Sequence, residues 1–209
     1  YSRGMLDRTW SPRLWFRSLG SWRRRRHGDL DAWCPVRLPG LCQGACVHTL
    51  QVKGFAGEPA GPNAEGPVLA PLVEEVAAYA AKLGKPAIIG HSLGGLTALE
   101  VAAKHPEAVG RMMIVDALPF YALIFMPTAT AESVKPQAEM MRAQMAAQTQ
   151  EQFVAGQDQV MGMLVKTEAA RAAPKAWSAA SDRKVVATAM YEDMIEDARS
   201  LLPQITAPA

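Results

Sequence analysis

The sequence predicts an α/β fold, with a parallel sheet, flanking helices and a mainly helical cap. Three observations support this prediction. Short apolar strand patterns alternate with helix patterns across residues 47–118, which is typical of βαβ units with helices on both faces of a sheet. Residues 119–200 are rich in Ala, Met, Gln and Glu and show no strand pattern. Residues 201–209 look like the start of another core strand, so we expect the fold to be truncated at both ends.

The first core elements are a short strand, a loop and an amphipathic helix. Residues 47–52 alternate partly between apolar and polar side chains, as a strand does. Residues 53–67 carry four Gly and three Pro, which indicates a loop. The helix is predicted over residues 70–83, with Gly84 just past its end. Its apolar residues follow helical spacing: Leu69, Leu72, Val73, Val76, Ala80 and Leu83.

Two more strands and a helix follow. Residues 86–90 read as a short buried strand, residues 94–104 as a helix that His105 and Pro106 end, and residues 112–115 as another strand. Strands that alternate with helices in this way are expected to lie parallel in one sheet.

Residues 1–46 differ in composition from the rest of the chain. Residues 1–50 hold nine Arg, no Lys, three Asp, four of the five Trp and all three Cys, giving a net charge of +6, against −4 for residues 51–209. Three interpretations compete: an Arg-rich leader, a basic tail for nucleic acid, or out-of-frame translation of GC-rich DNA. We favour the third, because no helical or strand period is sustained, and expect these residues not to complete the sheet.

Composition narrows the choice of partners. The net charge of +2 gives no reason to expect nucleic acid, and no apolar run is long enough to span a membrane. Cys42 and Cys46 have no His at metal-ligand spacing beside them, so we expect neither a metal nor a cofactor. The cellular compartment and the oligomeric state stay open.

The motif G-H-S-L-G at residues 90–94 carries the chemistry. It follows a strand and opens a helix, which is the context a G-x-S-x-G nucleophile turn requires. Small residues two positions either side of Ser92 let the strand and helix approach each other, so the turn holds the Ser92 hydroxyl at the sheet's carboxyl edge. The Leu93 N–H is then placed to donate to an oxyanion.

At this motif the chain resembles the α/β-hydrolase superfamily, and in particular bacterial serine esterases with a helical cap. The resemblance covers residues 47–209. The family's nucleophile elbow is similar to I-I-G-H-S-L-G-G-L-T-A-L, and the strand and turn before its helix B are similar to V-H-T-L-Q-V-K-G-F-A-G. The strand before the family's cap is similar to R-M-M-I-V-D-A-L-P-F. The return from cap to sheet is similar to the segment that ends in L-L-P-Q-I-T-A-P.

The resemblance implies an esterase that hydrolyses small-molecule carboxylic esters or related acyl compounds through an acyl-enzyme on Ser92. In the family the catalytic acid and His follow the cap, so both are expected beyond residue 209 and this chain alone is expected to be inactive. Asp116, at the next strand end, is the candidate acid within the chain. A non-catalytic ligand-binding protein of the same fold is the alternative.

Several residues are expected to line the substrate site. His91 lies beside the nucleophile, and Phe120 and Tyr121 follow a strand end near the expected pocket mouth. Five Met residues are expected to pack the cap or, on a second interpretation, to form an acyl-binding surface: Met140, Met141, Met145, Met161 and Met163.

Overall fold

The computed structural model describes the backbone of residues 15–17 and all of residues 47–209. Within these residues one sheet has four strands: β1 (Trp15–Arg17), β2 (Val47–Thr49), β3 (Ala87–His91) and β4 (Arg111–Val115). Their order is β2-β1-β3-β4. β3 and β4 are parallel, whereas β1 is antiparallel to both β2 and β3. Strands β2, β3 and β4 therefore run in one direction, as the sequence predicts, and β1 runs against them.

Strand β1 corrects the expectation for the first 46 residues. Phe16 pairs with His48 on one side and with Ile88 on the other, so this segment does contribute to the sheet. A three-residue strand needs only extended backbone groups that complete the hydrogen-bond ladder, and so it leaves no sustained period in the sequence. The rest of the first 46 residues, including the three cysteines, lies outside the described part of the chain.

The two core helices lie where the sequence predicts them. Helix α1 spans Leu69–Lys82 and helix α2 spans Leu93–Lys104. Gly84 has a φ of 69°, the left-handed conformation that ends many helices. Both helices pack on one face of the sheet, where the buried side chains include Val73, Val76, Ile88, Leu96, Val101 and Met112. On the other face Met113 of β4 is exposed.

Residues 119–200 contain helices and no strand, as the sequence predicts. Residues 201–209 do not begin with the expected strand, because a 3-10 helix spans Ala198–Gln204, but the N–H of Met112 in β4 donates to the carbonyl of Pro208 at 2.9 Å. The helices are α3 (Ala131–Ala147), α4 (Gln150–Leu164), α5 (Glu168–Ala179) and α6 (Arg183–Ile195). Thr130 and Thr149 each begin a helix with a reciprocal capping box. None of the helices in the described ranges is both long and apolar enough to cross a membrane.

Helix α6 connects this helical region to the sheet domain through the Gly-rich loop before α1. Gly54 has a φ of 84°, and a Cβ there would lie 2.7 Å from the side chain of Val185. The Gly54 carbonyl accepts a hydrogen bond from the Asp182 N–H, and the Ala56 N–H donates to Ser181 Oγ at 2.9 Å. The loop is thus fixed against the start of α6.

A second connection lies at the N-terminus of α1. The carboxylate of Glu192, on α6, accepts hydrogen bonds from the backbone N–H groups of Val68, at 3.0 Å, and Leu69. These N–H groups begin a helix and have no acceptor within it. A carboxylate also complements the positive end of the helix dipole, so Glu192 stabilises α1 and holds α6 against it.

The methionines of the helical region are placed differently from the prediction that they pack the cap. Met140 is 54%, Met141 42% and Met163 76% exposed, while Met145 and Met161 are partly exposed. Helices α3 and α4 bury other residues instead, among them Val134, Ala138 and Phe153. Met141 lies seven residues after Val134 and therefore on the same face of α3, but that face is no longer covered at this point along the helix, whereas Met140 lies on the other side of α3.

The capping contact of Glu192 can be tested by substitution. Glu192→Ala removes the acceptor for two N–H groups and should lower the free energy of unfolding by about 1–2 kcal/mol. Urea unfolding followed by circular dichroism measures this change. Glu139→Ala, at an exposed position on α3, is the matched control and should stay within about 0.5 kcal/mol of the parent chain. Equal effects of both substitutions would show that Glu192 does not stabilise the start of α1.

Candidate active site

Ser92 occupies the single residue between the end of β3 at His91 and the start of α2 at Leu93. Its φ is 53° and its ψ is −126°. A non-glycine residue at positive φ is strained, and such residues persist where the surrounding structure enforces them. The predicted tight turn with strained backbone angles is therefore confirmed.

The flanking glycines explain how the turn closes. A Cβ on Gly90 would lie 2.0 Å from the carbonyl oxygen of Gly94, and a Cβ on Gly95 would lie 2.5 Å from Cβ of Ala117. Both distances are far below any real contact. The strand before Ser92 and the helix after it can approach this closely only because Gly90 carries no side chain, and Gly95 lets the same helix approach the residues at the end of β4.

Backbone hydrogen bonds fix Ser92 on both sides. Its N–H donates to the carbonyl of Val115, at the end of β4, at 3.2 Å. Its own carbonyl accepts from the N–H groups of Gly95, at 2.7 Å, and Leu96, at 3.2 Å. Leu93 is the first residue of α2, so its N–H has no acceptor within the helix and is available to a ligand beside Ser92.

The side chain of Ser92 is exposed, and within residues 47–209 its hydroxyl has no hydrogen-bond partner. Asp116 is its neighbour at this edge of the sheet, because His91 of β3 pairs with Val115 of β4 and each residue comes one position later. Asp116 is also exposed and also strained, with a φ of 47°. The structure thus places the predicted nucleophile and the predicted candidate acid side by side.

The three described histidines differ in their relation to Ser92. His48 Nδ1 lies 2.8 Å from the hydroxyl of Tyr79, which is on α1. His105 follows the last turn of α2, roughly 18 Å along the helix from Ser92, and pairs with Glu74 at 3.0 Å. His91 is half-buried and lies on the face of β3 opposite to Gly90, because side chains alternate along a strand.

Of the two predicted pocket residues, Tyr121 lies near the site and Phe120 does not line an open mouth. Phe120 is fully buried, in a cluster with Ala122 and Met194, and Arg199 lies over its ring. Tyr121 is partly exposed. Burial raises the pKa of Tyr121 most, and the charges of Asp193 and Asp116 raise it further.

Sequence reasoning missed Asp193, a buried carboxyl group on α6. Asp193 is 6% exposed, and burial raises its pKa from 3.8 to about 6. Helical spacing contains a signal that would have found it. Ala189 and Val185, one and two turns earlier on the same face, are both buried, so a carboxylate one turn after Ala189 faces the protein interior.

The described residues provide no metal centre. No group of three or more His, Cys, Asp or Glu side chains in these ranges is placed to hold a metal ion. The chemical groups at the turn are a hydroxyl, a carboxylate and helix N-terminal N–H groups. Such a set can support nucleophilic attack and oxyanion stabilisation.

Comparison with known proteins agrees with this geometry. A family model described as the alpha/beta hydrolase fold matches residues 27–195. A triacylglycerol lipase of Pseudarthrobacter phenanthrenivorans is 35% identical over 86 residues, which are 41% of this chain and 26% of that protein. A triacylglycerol lipase of Burkholderia plantarii is also 35% identical over 86 residues, covering 41% of this chain and 24% of that protein.

An esterase of Mycobacterium tuberculosis is 40% identical over 58 residues, covering 28% of this chain and 18% of that protein. The chain therefore spans only about a quarter, or less, of the length of these relatives. No solved structure gives a significant match.

The steric constraint at the turn can be tested at Gly90. Gly90→Ala should lower the free energy of unfolding by about 3 kcal/mol or more, because the new methyl group would overlap a backbone carbonyl. Thermal or urea unfolding measures the loss. The control is Gly156→Ala on α4, where a Cβ would meet nothing within 4 Å; this substitution should stabilise the chain slightly, since Ala favours helix. Similar results for both would contradict the steric argument.

The buried carboxyl group predicts a specific pH dependence. Because the pKa of Asp193 is raised to about 6 in the folded chain, the folded state holds this proton more tightly than the unfolded state does. This contribution to stability is complete at low pH and is lost as pH rises from about 4 to about 6. Asp193→Asn has no titrating carboxyl group at this position. Between pH 4 and pH 7 the free energy of unfolding of the variant should therefore rise by roughly 3 kcal/mol relative to that of the parent chain. Urea unfolding across that range measures the difference between the two free energies of unfolding. A difference that does not change with pH would disprove the raised pKa of Asp193.

Proposed function

The chain belongs to the alpha/beta hydrolase fold family, and we propose that it hydrolyses carboxylic esters of small molecules through an acyl-enzyme on Ser92. The observation that carries the proposal is the conformation of Ser92. Its backbone is strained at the carboxyl edge of the sheet, its hydroxyl is exposed, and the N-terminal N–H groups of α2 lie beside it.

In the proposed reaction, Ser92 Oγ attacks the ester carbonyl carbon and loses its proton to a base. The carbonyl oxygen becomes an oxyanion, to which the Leu93 N–H donates a hydrogen bond. The tetrahedral intermediate expels the alcohol, which takes the proton from the base. Water then attacks the acyl-enzyme by the same route, releasing the carboxylic acid and restoring Ser92.

The base is the part of the proposal that the described residues do not supply. A serine hydroxyl needs a hydrogen-bonded base to become nucleophilic at neutral pH, and Ser92 Oγ has no such partner within residues 47–209. We therefore assign this role to a histidine beyond residue 209, as the resemblance to the hydrolase family implies, and expect residues 1–209 alone to react slowly. Asp116 lies next to Ser92 and can orient such a histidine.

The same observation favours a second candidate function, a non-catalytic protein that binds an ester or acyl ligand at this edge of the sheet. A binding protein needs the pocket but not the base. The two functions differ in whether a covalent bond to Ser92 forms.

Fluorophosphonate labelling and p-nitrophenyl butyrate hydrolysis distinguish the two. A longer form of the chain that supplies a histidine to Ser92 should turn over the ester at least about a thousandfold faster than residues 1–209, because triad members act as a unit. Ser92→Ala in the longer form should abolish both labelling and turnover, whereas Ser200→Ala, at another exposed serine, should change neither.

Two results would change the assignment. Ligand binding by the longer form, with no labelling of Ser92, would favour the non-catalytic function. Rapid labelling of residues 1–209 that Ser92→Ala stops would show that the base lies within this chain; His91→Ala and Asp116→Asn would then identify it.

A further inference from the structure

A cavity of about 210 Å³ lies between the first turn of α1, the second half of α2 and the end of α6. Its charged lining consists of Glu100, Lys104, Glu192 and Glu196, and its apolar lining includes Leu69 and Ile195. Three carboxylates thus face one ammonium group. Two features of these groups indicate what the cavity binds.

The first feature is Glu100. Its side chain is only 2% exposed, and a carboxylate that is buried so completely is costly unless its oxygens are paired. Oε2 is paired with the ammonium group of Lys104. Oε1 is buried and has no hydrogen-bond partner among the described residues. Native structures satisfy most buried polar atoms, so an unpartnered one beside a cavity indicates a missing donor.

The second feature is Glu196. It is half-buried, and within residues 47–209 no donor forms a hydrogen bond to its carboxylate. Burial raises its pKa most, and the neighbouring charge of Glu100 raises it further, while the ammonium group of Lys104 lowers it. The carboxylate of Glu192, by contrast, already accepts hydrogen bonds from the N–H groups of Val68 and Leu69. Glu100 and Glu196 are therefore the two groups that a bound cation would neutralise.

The shape of the site favours an organic cation over a metal ion. No three carboxylates in the described residues are close enough together to share one metal ion. An ammonium group has three N–H donors and can bond to separate carboxylates. An aliphatic chain attached to it would contact the apolar walls at Leu69 and Ile195.

We propose that this cavity binds a primary alkylammonium ion, which donates hydrogen bonds to Glu100 Oε1 and to the carboxylate of Glu196. The site is separate from the proposed catalytic turn. Glu100 lies about two helical turns past Ser92, roughly 12 Å along α2. The proposal therefore does not depend on the proposed hydrolase activity.

Calorimetric titration of the 209-residue chain with n-butylammonium chloride tests the proposal. We expect one site with a dissociation constant on the order of 1 mM, which is reasonable for a ligand of five non-hydrogen atoms. n-Butanol has the same alkyl chain without the charge and should not bind measurably. Equal binding of n-butanol would overturn the proposal, because it would show that only apolar contact is recognised.

Substitutions locate the site. Glu100→Gln and Glu196→Gln should each weaken n-butylammonium binding at least about tenfold, the lower end of the effect expected for a lost charge-assisted hydrogen bond. Glu139→Gln, at an exposed position on α3, and Ser92→Ala should leave it unchanged. Full affinity in Glu100→Gln would place the ion elsewhere and refute the proposal.

Lys104→Gln gives an independent result in the opposite direction. It removes the cation that competes for Glu100, so n-butylammonium should bind more tightly than to the parent chain, provided that circular dichroism shows the variant folded. Weaker binding would contradict the proposed role of Lys104. A competition titration with Mg²⁺ completes the test: n-butylammonium should persist at equal Mg²⁺ concentration, and its stoichiometric displacement would indicate a metal site instead.

Discussion

The absence of a side chain at Gly90 is the constraint on which the candidate site depends. The carbonyl of Gly94 occupies the position that a Cβ at residue 90 would take. Strand β3 can therefore turn directly into α2, and the one residue left between them, Ser92, takes up the strain of the reversal. The features of the candidate site follow from that geometry: the exposure of the hydroxyl, the nearby N–H of Leu93 and the hydrogen bond to the end of β4.

The sequence predicts those elements that are determined by residues close together along the chain. The G-H-S-L-G motif combines a steric requirement with a strand before it and a helix after it, and the structure confirms that turn. The apolar spacing of α1 predicts its bounds to within one residue, because one face of that helix is buried along its whole length. The proximity of Asp116 to Ser92 also follows from sequence, since the carboxyl ends of adjacent parallel strands lie together.

Features that depend on distant contacts could not be predicted in this way. Strand β1 consists of three residues whose partners lie far along the chain. Phe120 follows a strand end, as a pocket residue would, yet contacts across the helical region bury it. The exposure of the methionines depends on which helix faces pack together, and a weak apolar period does not decide that. The pairing of Glu192 with the start of α1 joins residues more than one hundred positions apart.

Helices α4 and α5 form a hairpin that contacts the rest of the described chain sparingly. Each buries one side chain, Phe153 in α4 and Pro174 in α5, and the two pack chiefly against each other. Helix α6, in contrast, is joined to the sheet domain by hydrogen bonds at both ends. Insertions, deletions or whole replacements within the hairpin would therefore leave the turn at Ser92 intact. Substitutions in this segment can therefore change the surface that the hairpin presents while the backbone geometry at Ser92 stays the same.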